Sequence, residues 1–260
     1  MFIKVAKRAN HWVWTLNRPD RRNGLGTTIA EEMALNLDEL EKNIEEAGGP
    51  VSLVINAEPT TSSMGKIWVA GGDLKELQEL DTKAKGRAYA ESWSKICQRL
   101  EALPLIVIAL INGRAMGGGA ELALACDLRL GTHDTVFDFK QIKVGLATGY
   151  GGTRRLVDLV GYGHAQNFLL MSREVTWQMA LTQGLLSEVC ETWKQLESRA
   201  EEICESLSKV GSTSLSMQKQ MLQLARPEIQ RSYKEELNIF EKLWLNPKHR
   251  DFLQSFNKAK

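Results

Sequence analysis

One run constrains this 260-residue chain more than any other: Ile111-Asn112-Gly113-Arg114-Ala115-Met116-Gly117-Gly118-Gly119-Ala120-Glu121-Leu122-Ala123-Leu124-Ala125-Cys126-Asp127. An apolar stretch, residues 105–111, ends at the turn signal Asn112-Gly113. Three consecutive glycines follow, and Glu121 then opens a segment rich in Ala and Leu. The pattern predicts strand, Gly-rich turn, helix. Consecutive glycines let backbone amides approach a ligand closely, and amides at a helix start point outward with partial positive charge. Such a site favours an oxyanion, with Glu121 beside it as a candidate acid or base.

The same grammar recurs. Ile67-Trp68-Val69-Ala70-Gly71-Gly72-Asp73-Leu74-Lys75-Glu76-Leu77 runs from apolar residues through a glycine pair to a helix start with Asp73 near its N-terminus. Residues 141–156, with Gly145, Gly149, Gly151 and Gly152, form a third Gly-rich helix entry, and that helix is expected to end near Gly161. One glycine pair occurs in many ordinary turns. Two such turns are more informative, because an oxyanion hole takes two donors from different segments.

The rest of the chain frames these entries. Residues 2–16 read as a strand, strongest at His11-Trp12-Val13-Trp14-Thr15-Leu16 and stopped by Asn17-Arg18-Pro19-Asp20. The next loop sets Arg18, Arg21 and Arg22 around Pro19 and Gly24, and reads equally as a phosphate contact or a solvated turn. Ile29, Met33, Leu37, Leu40 and Ile44 keep helical spacing over residues 27–47, with Gly48-Gly49 as a C-cap and Pro50 barring continuation. Residues 51–56 read as a buried strand, 58–66 as a polar surface loop and 89–103 as a helix closed by Pro104. Short strands are expected at 128–131 and 136–140. Beyond Gly163 the chain is helix-like over 169–186, 191–210, 214–224, 227–245 and 249–258, with Pro227 suited to a first helical position. Strands alternating with helices predict an α/β fold with a parallel sheet.

Composition narrows the function. Thirty-three Lys and Arg against 32 Asp and Glu leave a net charge of +1, so no global basic field argues for nucleic acid or an anionic membrane. An anionic ligand must be met locally. The longest apolar run is too short to span a bilayer, and Met1-Phe2-Ile3-Lys4 lacks the regions of a signal peptide, so a cytoplasmic protein is expected. Cys97, Cys126, Cys190 and Cys204 lack CxxC spacing and read as buried free thiols; His11, His133, His164 and His249 are isolated, so no metal site is expected.

Taken together the motifs identify a resemblance to the crotonase (enoyl-CoA hydratase/isomerase) superfamily over nearly the full length. Leu16-Asn17-Arg18-Pro19 with Arg22-Asn23-Gly24-Leu25 resembles the family's LNRP…(K/R)NAL signature, and Trp68 to Leu74 its F-x-AG-x-DL segment. Residues 112–127 resemble NG-x-A-x-GGG-x-EL…CD, Gly151-Gly152-Thr153 with Leu156 resembles GGT-x-RL, and Phe256 with Lys258 resembles the AF-x-x-K ending. The resemblance implies a spiral of ββα units over residues 1–195 and a C-terminal helical region, 196–260, that packs homotrimers or hexamers. It implies an acyl-coenzyme A thioester as substrate and no separate cofactor. The amides of Gly72 and Gly118 would form the oxyanion hole, and Glu121 would be the acid/base. The segment Gly72-Asp73-Leu74-Lys75 would line the adenine pocket, and Ala70 would also bind the substrate. Arg22, Gly24 and Leu25 would face the pantetheine or phosphate end.

The chain departs from the family at informative places. Family hydratases use two glutamates; Glu121 aligns with the one that activates water, but the position of the other holds Gln141, whose amide does not exchange protons near pH 7. Thr148 replaces a family proline, and Tyr150 stands where a small residue is usual. The Tyr150 side chain reads equally as a hydroxyl in the pocket or a ring against the acyl group. Asp138 and Lys140 share one side of a strand and read as a surface ion pair. The leading expectation is a lyase of enoyl-CoA hydratase/isomerase type. A methylmalonyl/ethylmalonyl-CoA decarboxylase, which needs the oxyanion hole but not two glutamates, and a catalytically degraded acyl-CoA-binding subunit are the alternatives.

Overall fold

Through its middle the chain winds between two sheets, three times adding to the first and then to the second before it enters a helix. The computed structural model describes residues 1–45, 49–226 and 229–258. The elements run β1 (Ile3–Lys7), β2 (His11–Leu16), α1 (Thr27–Glu45), β3 (Ser52–Ala57), β4 (Thr60–Ser62), β5 (Gly65–Val69), α2 (Leu74–Leu77) and α3 (Lys83–Ala102). Next come β6 (Ile106–Ile111), β7 (Arg114–Met116), α4 (Gly118–Leu124), β8 (Leu128–Thr132), β9 (Val136–Asp138) and α5 (Gly152–Leu170). The chain continues through β10 (Glu174–Thr176), α6 (Trp177–Thr182), β11 (Glu188–Cys190), α7 (Trp193–Val210), α8 (Ser212–Leu224), α9 (Ile229–Leu243) and α10 (Pro247–Lys258).

The first sheet has the order β1-β2-β3-β6-β8-β11, parallel from β2 onward with β1 an antiparallel edge. In the second, β10-β9-β7-β5-β4, the three inner strands are parallel and both edges antiparallel. Side chains alternate across the first sheet with the period of two that a strand imposes. Leu53, Ile55, Val107 and Ala109 face the main core, while Val54, Ile108 and Leu130 meet Leu196, Ala200 and Cys204 of α7. The stripe Ile29, Met33, Leu37 and Leu40 of α1 is wholly buried, and each such side chain contributes about 1.5–3 kcal/mol.

Several expectations are corrected. Residues 2–16 form a hairpin rather than one strand, because the polar break at Arg8 turns the chain and its amide donates to the His11 carbonyl at 2.9 Å. The expected surface loop 58–66 contains β4 and the start of β5, joined through Gly65 at φ 92°. α3 starts six residues before Tyr89, since the Thr82 hydroxyl caps it by accepting the Lys85 amide at 3.2 Å. α5 runs on through Gly161, which kinks it with a φ of 75°. Where residues 169–186 read as helix, Ser172 (φ 46°) turns the chain into β10 and the short α6. The Gly48 cap and the Pro227 helix start lie outside the described residues. The cysteines are free thiols, with Cys190 only partly buried.

Candidate active site

Because β5, β7 and β9 are parallel neighbours, the chain leaves all three at the same end of the second sheet. The Gly-rich segments that follow β5 and β7 therefore meet side by side. A Cβ on Gly71 (φ 86°) would stand 2.7 Å from the Met116 carbonyl oxygen and 3.2 Å from the Gly118 nitrogen, so the two loops approach as only glycine allows. Gly117 takes φ 49° and donates to the Asp138 carbonyl at the end of β9. Among the described residues, neither the Gly72 nor the Gly118 amide donates to a backbone carbonyl. Both glycines line one cavity of about 1070 Å³, its open mouth included.

Glu121 also lines this cavity, 2% exposed. The loop entering α5 wraps its carboxylate in N–H donors. Oε2 accepts from Tyr150 at 2.8 Å, Gly152 at 3.1 Å and Gly149 at 3.2 Å. Oε1 accepts from Gly149 at 3.3 Å and from Gln141 Nε2 at 2.9 Å. A Cβ on Gly152 would fall 2.5 Å from Glu121 Cγ, which explains why glycine stands there. Gln141 thus faces the carboxylate it was expected to complement, while its Oε1 is buried without a hydrogen-bond partner among the described residues. Burial and the neighbouring Glu236 carboxylate push the Glu121 carboxyl well above the usual range, against the pull of its N–H donors.

The other expected site residues separate. Arg22, Ala70, Leu74 and Tyr150 line the same cavity, and Arg22 is exposed at its edge with no ion-pair partner among the described residues. Asp73 and Lys75 line an adjoining cleft that shares Arg22, Ala70, Gly72 and Leu74. The Asp73 carboxylate, however, is bound to Arg18 Nη2 at 2.7 Å and accepts the Lys75 amide at 3.0 Å, so it ties the loop to α2. Gly24 and Leu25 are buried; Leu25 contributes its carbonyl, which accepts from Tyr89 Oη at 2.7 Å. Thr148 lines a second cavity beyond Gln141, and its hydroxyl bonds that of Thr153 at 2.6 Å. Of the arginine loop, Arg18 is buried against Asp73 and Glu76, while Arg22 and Arg21 both line the adjoining cleft, Arg21 lying 3.6 Å from Asp20. Asp138 is wholly buried, with Lys140 at 2.8 Å and Arg114 at 3.8 Å, so the expected surface pair has its carboxylate inside and only Lys140 partly exposed.

Of the two expectations for Tyr150, the structure bears on the hydroxyl, which reaches the cavity, while the ring packs on a neighbouring side chain. Its ring stacks on Trp93 with centroids 5.9 Å apart, and its hydroxyl lies 2.5 Å from that of Tyr89 inside the cavity. Arg155, itself held by Glu101 at 3.1 Å, clamps the loop by donating to the Tyr150 carbonyl at 2.6 Å.

Sequence reasoning missed the contribution of α9 and α10. Phe240, Trp244, His249 and Phe252 complete the cavity wall. Glu236 accepts the Gly151 amide at 2.8 Å, so the amides of one loop divide between two buried carboxylates, with Gly149, Tyr150 and Gly152 on Glu121 and Gly151 on Glu236. A signal was present: Tyr233, Leu237, Phe240 and Trp244 form a helical stripe with Glu236 inside it, and a carboxylate on a buried face demands a partner. Burial also raises the Glu236 carboxyl and keeps His249 neutral by lowering it to about 4.

The sequence matches the enoyl-CoA hydratase/isomerase family over residues 7–258. The chain belongs to that family. It is 31% identical to the short-chain-enoyl-CoA hydratase of Clostridium acetobutylicum over 85% of this chain and 80% of that one. It is 30% identical to the ethylmalonyl-CoA decarboxylase of Mus musculus over 94% of this chain and 74% of that one. An enoyl-CoA hydratase/isomerase structure from Xanthobacter autotrophicus Py2 superposes with a TM-score of 0.88 at 22% identity, covering 99% of this chain and 93% of that one, and shares the crotonase fold. No described helix is long and apolar enough to cross a membrane.

Proposed function

We propose that the protein converts an acyl-CoA through a thioester enolate whose oxygen is held by the amides of Gly72 and Gly118, with Glu121 as acid/base. The observation that carries this reading is the meeting of two Gly-rich loops whose Gly72 and Gly118 amides, among the described residues, lack backbone acceptors and border one cavity with a buried carboxylate. Each such donor is worth about 2.7–4 kcal/mol in a transition state where the negative charge sits on oxygen. The acyl group would lie against Tyr150, Phe240 and Trp244, and the coenzyme A phosphates would meet Arg22 and Lys75. The nominal reaction is that of an enoyl-CoA hydratase/isomerase-type lyase, working in the cytoplasm as a homotrimer or hexamer.

Gln141 favours a second reading. Decarboxylation of a short branched malonyl-CoA generates the enolate by loss of carbon dioxide and needs one proton donor where hydration needs two proton-transfer groups. The 30% identity to a decarboxylase over 94% of this chain supports keeping it. Crotonyl-CoA and ethylmalonyl-CoA, each given to the wild type, Glu121→Gln and Gln141→Glu, decide between them. Turnover that falls on the order of 10²–10⁴-fold in Glu121→Gln supports the acid/base role, and turnover that survives removes it. Hydration gained in Gln141→Glu marks a lost second acid. Tight thioester binding without turnover of either compound points to the binding subunit.

A further inference from the structure

With Gln141 unable to exchange protons, hydration at this site lacks its second proton-transfer group, the one that protonates the enolate carbon while Glu121 activates water. Two hydroxyls stand beside the loops that would hold the enolate oxygen. A Cβ on Gly118 would lie 3.0 Å from Tyr150 Oη, and one on Gly72 would lie 3.0 Å from Tyr89 Oη. The two hydroxyls are 2.5 Å apart, and both residues line the cavity. We propose that Tyr150 donates the proton to the α-carbon of the thioester enolate, with Tyr89 as the positioning residue that holds the resulting tyrosinate. This inference rests on the acyl-CoA enolate reading above.

The hydrogen bonds order the pair. Tyr89 spends its single proton on the Leu25 carbonyl at 2.7 Å, so at rest the Tyr150 O–H donates to the Tyr89 oxygen. In the reaction, the enolate electron pair forms the α-carbon C–H bond with the Tyr150 proton, and the O–H electrons remain as a tyrosinate. A hydroxyl hydrogen rotates freely, so the Tyr89 O–H can turn from Leu25 to that oxygen, while the Leu25 carbonyl keeps the Asp73 amide at 3.2 Å. A solvent proton then restores Tyr150: in hydration it is balanced by the proton that Glu121 took from the attacking water and releases to solvent, and in decarboxylation it is the one proton the overall reaction consumes. Burial holds both phenols above their ordinary values, which keeps the donor loaded at neutral pH.

Of the other polar groups at the cavity, Glu121 is assigned to the water, Lys140 pairs with Asp138, His249 uses Nδ1 to accept the Leu245 amide at 3.1 Å, and Arg22 lies exposed at the edge.

The test runs the wild type, Tyr150→Phe and Tyr89→Phe in D2O with crotonyl-CoA and ethylmalonyl-CoA. It reads kcat, KM and the configuration of deuterium at the product α-carbon. Phenylalanine keeps the ring on Trp93. Wild type should place deuterium in one configuration. Tyr150→Phe should lose on the order of 10²-fold in kcat with KM within about threefold, and its residual product should carry mixed label. Tyr89→Phe should lose about tenfold in kcat and keep a single configuration. A Tyr150→Phe enzyme with wild-type kcat and a single configuration overturns this proposal and leaves the enolate reading standing. A wild type that turns over neither compound overturns both.

Discussion

At the scale of the residue, the loop entering α5 is the decisive object, since it feeds amides to Glu121 on one side and Glu236 on the other. Two buried carboxyls so close resist ionising together. Replacing Glu236 by Gln removes one charge, so the limb of a kcat/KM profile that reports Glu121 should move to lower pH by about one unit. An unmoved limb would mean that Glu236 does not act on Glu121. The sign for stability follows from the raised folded values: the folded chain keeps protons that the unfolded chain releases in the ordinary carboxylate range. The contribution of these two carboxyls is therefore full below that range and falls as pH rises toward the folded values. Urea midpoints of wild type and Glu236→Gln compared at acid and at neutral pH should show it, the variant gaining on the wild type as pH rises. Gly118→Ala is a sharper change, because its Cβ would lie 2.4 Å from the Tyr150 ring. Turnover should drop by about 10²-fold or more while far-UV circular dichroism is unchanged. Glu121 was legible from a local pattern of glycines and a helix start; Glu236 was not, since its partner lies 85 residues away.

At the scale of the element, the arginine loop and α2 are joined by one buried ion pair. Arg18 is buried, donates to the Gly24 carbonyl at 3.1 Å and meets Asp73 and Glu76. Arg18→Ala leaves the Asp73 carboxylate buried without its cation and should cost about 3–5 kcal/mol in urea unfolding. A loss below about 1 kcal/mol would place that loop outside the cooperative fold. Trp244 anchors α9 in the same way: it is wholly buried, donates to the Leu80 carbonyl at 3.1 Å and packs where Gly86 of α3 leaves room. Trp244→Ala should destabilise by about 3–5 kcal/mol, read as a lowered thermal midpoint. The sequence marked α9 as a helix through its periodicity, but which element received its apolar face depended on packing.

At the scale of the whole molecule, α8 and the end of α7 leave Val210, Met217, Met221, Leu222 and Leu224 more than half exposed. Such a patch asks for cover, in keeping with the proposed homotrimer or hexamer. Light scattering should give a multiple of the 29.1 kDa chain mass, and Met221→Glu should reduce it toward one chain. A wild type that elutes as a single chain removes the oligomer. Much of the architecture could be read in advance, because each Gly-rich helix entry is a local event: steric freedom, a turn and a helix start all lie within a dozen residues. Residues 111–127 by themselves determined an exposed-amide turn with a carboxylate in the following helix, and the family resemblance supplied its chemistry. Only the tertiary structure decided which amides meet, since that depends on β5, β7 and β9 pairing in parallel. It also decided that Tyr89 from α3 reaches Tyr150, that Glu236 from α9 closes the loop, and that Asp138 is internal. These contacts join residues far apart in the chain: periodicity can mark a face as buried, as the stripe around Glu236 does, but it carries no record of which distant partner that face meets.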